Sequence, residues 1–187
     1  MSDRAAQMIV LCEDLQHATF IRRLLKELGF PKRRIRVNRF PEEGGAADQY
    51  VRNHYPKEVE EHRRKSAHLH IGLVTAIDAD ENPVRYRYRQ LNEELESESL
   101  DSRGADEQIC ILVPKRNIET WIYALFGEDV NETTDYCNET GYGKLENEGN
   151  CQPAVEQLVE YLRHGIPDDL IPSLRRGCQE LNERLPA

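Results

Sequence analysis

The chain has 187 residues, 32% of them charged, with a formal net charge of -9 and a mean hydropathy of -0.73. That length suits one domain with a sizeable core, and no apolar run approaches membrane-spanning length. The acidic balance argues against indiscriminate coating of nucleic acid, and the lack of a secretory pattern at the N-terminus points to the cytoplasm.

Met8-Ile9-Val10-Leu11-Cys12 is short and apolar and predicts a first buried strand over 7–12. Phe20, Ile21, Leu24, Leu25 and Leu28 follow at helical spacing and stop at Gly29. Ile35 and Val37 alternate with arginines, which predicts a second strand at or near a sheet edge. Gly44-Gly45 open a polar helix over 46–65, with Val51, Tyr55 and Val59 on one side. A third strand spans 69–77, a helix 83–97, and a fourth strand is Ile109-Cys110-Ile111-Leu112-Val113, ended by Pro114. Ile118, Trp121, Ile122 and Leu125 mark the next helix, with Asn117 as N-cap and Gly127 as stop. Residues 128–152 are acidic and glycine-bearing and predict an irregular loop, and two amphipathic helices fill 153–187. The order is that of a mainly parallel α/β sheet of about four strands, wrapped by helices and carrying a C-terminal helical extension, all within one domain.

Cys12, Cys110, Cys137, Cys151 and Cys178 are odd in number and form no Cys-x-x-Cys pair, so a zinc site or a disulfide framework is not expected. A thiol nucleophile built on Cys12 and His17 is rejected, because burial in a strand disfavours the thiolate. Glu13 closes the first apolar run, and Asp78-Ala79-Asp80 closes the third strand. Carboxyl ends of strands are where open α/β sheets place their sites. Carboxylates gathered there repel one another unless a cation neutralises them, and the expected cation is hard and oxygen-liganded: Mg²⁺, with Mn²⁺ as its substitute. On an extended backbone Asp78 and Asp80 point to one face and share that ion. Either acidic piece taken alone reads more simply as a turn or a helix cap.

This arrangement resembles the Toprim domain, the catalytic module of topoisomerases, bacterial-type primases and several nucleases. The resemblance covers roughly 7–126 and rests on Glu13 after strand one and Asp78-Ala79-Asp80 after strand three. It implies a Rossmann-like Toprim fold, acid/base work for Glu13, and Mg²⁺ bound by Asp78 and Asp80. The family usually has Gly after the glutamate, where this chain has Asp14, and Gly after the aspartate pair, where it has Glu81-Asn82-Pro83. Pro114-Lys115-Arg116-Asn117-Ile118-Glu119-Thr120-Trp121 is similar to a segment of small standalone Toprim-like proteins related to the overcoming-lysogenisation-defect nucleases. It implies that Glu119 is either a ligand of a second metal or a carboxylate just behind the first, and that Lys115 or Arg116 neutralises charge developing on a phosphate. Without the resemblance, Glu119 is a favourable first-turn acid and Trp121 a core residue.

The chain is too short for the tyrosine-bearing domain of a topoisomerase or the template-binding modules of a primase. The resemblance therefore implies a small Mg²⁺-dependent endonuclease acting on DNA or RNA. Such proteins are similar to the nuclease effectors of bacterial anti-phage defence systems, which often work beside a separately encoded ATPase. The competing expectation is a catalytically idle Toprim-like scaffold or regulatory subunit that binds such a partner. Nucleic-acid contacts are assigned to the basic clusters containing Arg33, Arg34 and Arg36, and Arg85 and Arg87. His17, four residues after Glu13, is an accessory candidate that orients Glu13 or meets a phosphate, although a lone histidine is more often incidental.

Overall fold

The first apolar run forms strand β1, Gln7–Cys12, buried throughout from Met8. In the computed structural model, which describes residues 7–41, 45–138 and 150–185, β1 lies inside a four-stranded parallel sheet. The other strands are β2, Ile35–Arg39; β3, Ile71–Ala76; and β4, Ile109–Leu112, in the order β2-β1-β3-β4. Being covered on both faces, β1, β3 and β4 are apolar almost without interruption. The alternating strand of the sequence, β2, is an edge strand as its arginines predict. Gly44 and residues 139–149 of the expected loop lie outside the described residues.

Helices α1 (Leu15–Glu27), α2 (Ala47–Ser66) and α3 (Val84–Ser97) make the connections. Side chains of β1 alternate between two cores. Met8, Val10 and Cys12 join the core that takes in α1, and Ile9 and Leu11 join the core of α2 and α3. Strand order reverses at β1, with β2 on one side and β3 on the other, so the carboxyl ends of β1 and β3 flank the crevice at a topological switch point. No helix among the described residues is long and apolar enough to cross a membrane.

Three more helices, α4 (Ile118–Leu125), α5 (Gln152–His164) and α6 (Pro172–Arg184), complete the α1 side of the sheet. The α6 carboxylate Glu180, fully buried, accepts the backbone N–H of Ile111 at 3.2 Å and two N–H groups of Arg103 at 2.6 and 3.1 Å. A helix thus occupies the edge of β4 that another strand would otherwise extend. Burial pushes the Glu180 carboxyl up, but Arg103 more than offsets it and holds the group below its ordinary value.

α6 fits against α4 through a tight contact. Trp121 is fully buried and its indole N–H donates to Ser173 Oγ at 2.7 Å, while the Ser173 N–H donates to Glu132 at 2.7 Å. A side chain at Gly177 would collide with the Trp121 ring. We therefore expect Gly177→Ala to destabilise the fold by about 1–3 kcal/mol, the usual range for overpacking. Urea unfolding would measure it, and a stability equal to the parent's would show that α4 and α6 are not closely seated.

Candidate functional site

Cys12 and Ala76 are register partners at the ends of β1 and β3. The residues just beyond them leave the sheet side by side, about 4.8 Å apart. Glu13 therefore reaches the next connection, and its Oε1 accepts the backbone N–H of Asp78 at 2.8 Å. Glu13 faces the aspartate segment, as the two apolar runs require if they end at one edge.

Asp14 fills the position where Toprim proteins usually have glycine. Its backbone is extended and its carboxylate caps α1, accepting the His17 N–H at 2.9 Å. The same Oδ1 lies 2.9 Å from His17 Nδ1, and His17 Nε2 lies 3.0 Å from Asp78 Oδ1. The imidazole is fully buried between two carboxylates. Burial alone would lower its pKa, but Asp78 and Asp14 outweigh that and raise it well above the ordinary value. With both nitrogens against carboxylate oxygens, the imidazolium is the form in which both N–H groups donate. His17 serves Asp78 and Asp14, not Glu13, and being buried it is not presented to a phosphate.

The carboxylates beside it are strained electrostatically. Glu13 is raised to about 8, first by burial and then by the charge of Asp78. Asp78 is raised by burial, with His17 opposing the shift. Burial would raise Asp14 too, but His17 outweighs it and lowers the group to about 2. Glu119, in the first turn of α4, is raised by burial and also feels the charges of Asp78 and His17. The sheet thus brings Glu13, Asp78 and Glu119 into one electrostatic neighbourhood.

Asp80 corrects the expectation of a shared face with Asp78. β3 ends at Ala76, the backbone goes on bonding to Leu112 and Pro114 through the N–H groups of Ile77 and Ala79, and Asp80 then sits at φ 53, outside the extended region, where the chain turns toward α3. The strand alternation that would align the two side chains no longer applies there. Asp78 is buried against His17, whereas Asp80 is exposed and paired with Arg87 at 2.8 Å. Each carboxylate has one oxygen engaged: Glu13 Oε1 by Asp78 N–H, Asp78 Oδ1 by His17, Asp80 Oδ2 by Arg87, and Glu119 Oε2 by the Cys137 thiol at 3.3 Å. Glu119 Oε1 is buried with no hydrogen-bond partner among the described residues. Among the described residues, no three His, Cys, Asp or Glu side chains already stand in an arrangement able to hold a metal ion.

Lys115 and Arg116 lie beside this cluster. The Lys115 ammonium donates to the carbonyls of Asn82 at 2.6 Å and Asp80 at 3.3 Å. Arg116, at φ 73, forms a β-bridge with Asp80 and reaches Glu81 at 3.3 Å and Asp135 at 3.6 Å. Lys115, Arg116, Asp80, Glu81, Glu132 and Thr133 line a cleft of about 290 Å³.

The proposed nucleic-acid contacts separate. Arg85 is exposed in the first turn of α3, close after the aspartate segment. Arg33 and Arg34 are exposed but precede β2, at the amino edge of a parallel sheet and so opposite the cluster. Five residues of strand separate the two edges by about 16 Å, which removes this pair from any contact at the site itself. Arg36 is held by Glu58 at 2.8 Å. Arg87 is 4% exposed and bonds inward, so it is not a surface cation. The helix-cap reading of the Glu13-Asp14 piece holds for Asp14, but its contact with the His17 ring and the role of Cys137 were missed. The Asp14-x-x-His17 spacing at a helix start was an available signal, whereas nothing local ties Cys137 to Glu119.

Comparison with known proteins yields no matching family model, no matching curated protein and no matching solved structure.

The raised groups define a pH dependence. Between about 4.5 and about 8 the folded chain holds Glu13 protonated more firmly than the unfolded chain does. His17, raised, likewise contributes stability below its unfolded value that is lost as pH rises. Asp14, lowered to about 2, is ionised across that window and adds no slope. The thermal midpoint in a chelating buffer should therefore fall as pH rises from about 5 to about 8, and Glu13→Gln should flatten part of that fall. A midpoint that rises across the window in the parent would contradict the assignment.

Proposed function

We propose that the chain is a metal-dependent nuclease that hydrolyses phosphodiester bonds of DNA or RNA. What carries this is the convergence of Glu13, Asp78 and Glu119 on one edge of the sheet, with carboxyl groups pushed upward by burial and a buried Glu119 oxygen left without a partner among the described residues. Such a set has unspent capacity for a hard cation. Asp78, Asp80 and Glu119 would hold Mg²⁺ or Mn²⁺ through the oxygens that the protein's own donors leave free, with Glu13 beside them as the proton acceptor. When bound, the ion polarises a phosphoryl group and lowers the pKa of a coordinated water.

The chain's own residues supply the rest. Glu13, raised to about 8 before any cation binds, has a proton affinity near the working pH, as suits a group that accepts a proton from an attacking water. Its Oε1 is fixed by the Asp78 N–H, which leaves Oε2 for that proton. Arg85 at the rim and Arg116 at the cleft offer positive charge to a phosphate oxygen. Lys115 shapes the site through the two carbonyls it binds. The resemblance to anti-phage nucleases further suggests an effector working with a partner ATPase in the cytoplasm, and the net charge of -9 suits an enzyme delivered to nucleic acid by another protein.

Glu13→Gln and Asp78→Asn should each lower divalent-metal-dependent cleavage about a hundredfold or more, assayed on a panel of DNA and RNA substrates with folding checked by circular dichroism. Variants that cleave as fast as the parent would end the catalytic assignment.

One observation favours the idle scaffold: His17 and Arg87 already face Asp78 and Asp80, and no complete ligand set is assembled. Thermal unfolding with and without Mg²⁺ or Mn²⁺ separates the two. An ion at a hundred times its Kd stabilises the folded state by about 2.7 kcal/mol. A nuclease should show that shift and lose it on Asp78→Asn; a scaffold should show none.

A further inference from the structure

We infer that Arg87 is a positioning residue that fixes the aspartate segment for cation binding, an assignment that rests on the nuclease proposal above. The guanidinium is buried under that segment and spends its donors on four groups. Nε donates to the Asp78 carbonyl at 2.8 Å, and one terminal nitrogen donates to Asp80 Oδ2 at 2.8 Å. The other terminal nitrogen donates to Asp48 Oδ2 and Gln90 Oε1, both at 2.9 Å. One side chain therefore grips the segment twice, through the backbone of Asp78 and the carboxylate of Asp80, and anchors it to the first turn of α2 through Asp48.

That grip has something to hold. Asp80 adopts φ 53 without being glycine, a conformation that persists only where surrounding contacts impose it. Lys115 grips the same segment from the β4–α4 connection, and the Ala79 N–H donates to the Pro114 carbonyl at 2.8 Å. Of these contacts only that of Arg87 touches a carboxylate oxygen. By binding Oδ2 it fixes the direction of Oδ1, the oxygen left to a cation. A lysine would keep the charge in the same place but lacks the planar fork needed to reach a carbonyl and two carboxylates in three directions. Arg87→Lys thus alters geometry at nearly constant electrostatics.

The experiment is a Mn²⁺ titration followed by electron paramagnetic resonance on the full chain, for the parent, Asp78→Asn and Arg87→Lys, alongside the metal dependence of cleavage. Arg87→Lys should weaken Mn²⁺ binding about ten- to a hundredfold, the usual cost of losing a partner that orients a ligand. It should raise the metal KM more than it lowers kcat. Parent-like affinity in a folded Arg87→Lys, or a loss confined to kcat, overturns the inference while leaving the nuclease proposal intact. A parent that binds no Mn²⁺, or binds it equally well with Asn at position 78, defeats the nuclease proposal itself. Should Arg87→Lys fail to fold, Asp48→Asn decides, since Asp48 lies on a half-buried helix start that tolerates Asn. A threefold or greater loss of affinity supports the inference, and parent-like affinity overturns it.

Discussion

Buried like charge is the constraint on which the rest of this structure depends. Glu13, Asp14, Asp78 and Glu119 collect where β1 and β3 end and α4 begins, with Asp80 exposed beside them, and the buried cations that meet them are His17 and Arg87. Burying a carboxylate is costly unless it is paired or hydrogen-bonded. The chain meets that cost unevenly. Asp14 is fully compensated and stays ionised, Asp78 is compensated in part, and Glu13 and Glu119 are left with raised proton affinity. A cluster serving stability alone would gain from amides or apolar residues at these positions. Under the proposed function, a cation from outside would supply the compensation that Glu13 and Glu119 lack.

Topology explains why the cluster forms at all. The strand order reverses at β1, so α1 leaves toward one face and the later helices α2 and α3 cover the other. The ends of β1 and β3 are thereby left between helix layers, where His17 of α1 and Arg87 of α3 both reach Asp78. Glu13 and Asp78 need no long reach to meet there, because Cys12 and Ala76 are register partners. Glu119 arrives independently, carried by the first turn of a helix that Trp121 and α6 brace from behind.

Much of this was legible in the sequence, and the failures share a cause. Apolar runs located the strands, and the acids closing them located the edge. Asp80 stands apart from Asp78 because alternation is a property of extended backbone, and Asp80 itself is left-handed. Arg33 and Arg34 were placed by sequence clustering, which cannot tell the amino edge of a sheet from its carboxyl edge. Arg87 and His17 were singled out, Arg87 for nucleic acid and His17 for Glu13 or a phosphate, but their partners are carboxylates of the chain itself. Arg87 falls on the stripe of Leu91 and Leu95, and His17 on that of Phe20, Ile21 and Leu24, so each polar side chain sits on a buried helix face. A charged residue on an apolar stripe is informative because it must find a partner inside. Cys137 had no such marker, since its contact with Glu119 depends on how the segment after α4 folds back.

Strain and charge meet at one place. Asp80 and Arg116 are both non-glycine residues in the left-handed region, and they face each other across a single β-bridge between two connections. Each such residue costs about 1–3 kcal/mol, and the cost persists only where the surroundings over-determine the backbone. Arg87, Lys115 and the Ala79–Pro114 hydrogen bond provide that over-determination from different directions. The connections after β3 and β4 are therefore coupled: the left-handed turn at Asp80 cannot relax without breaking its bridge to Arg116, and Arg116 begins the turn that leads through the Asn117 cap to Glu119. Asp80 and Glu119 are thus tied through backbone, not through side chains, by the bridge to Arg116 and the turn that follows it.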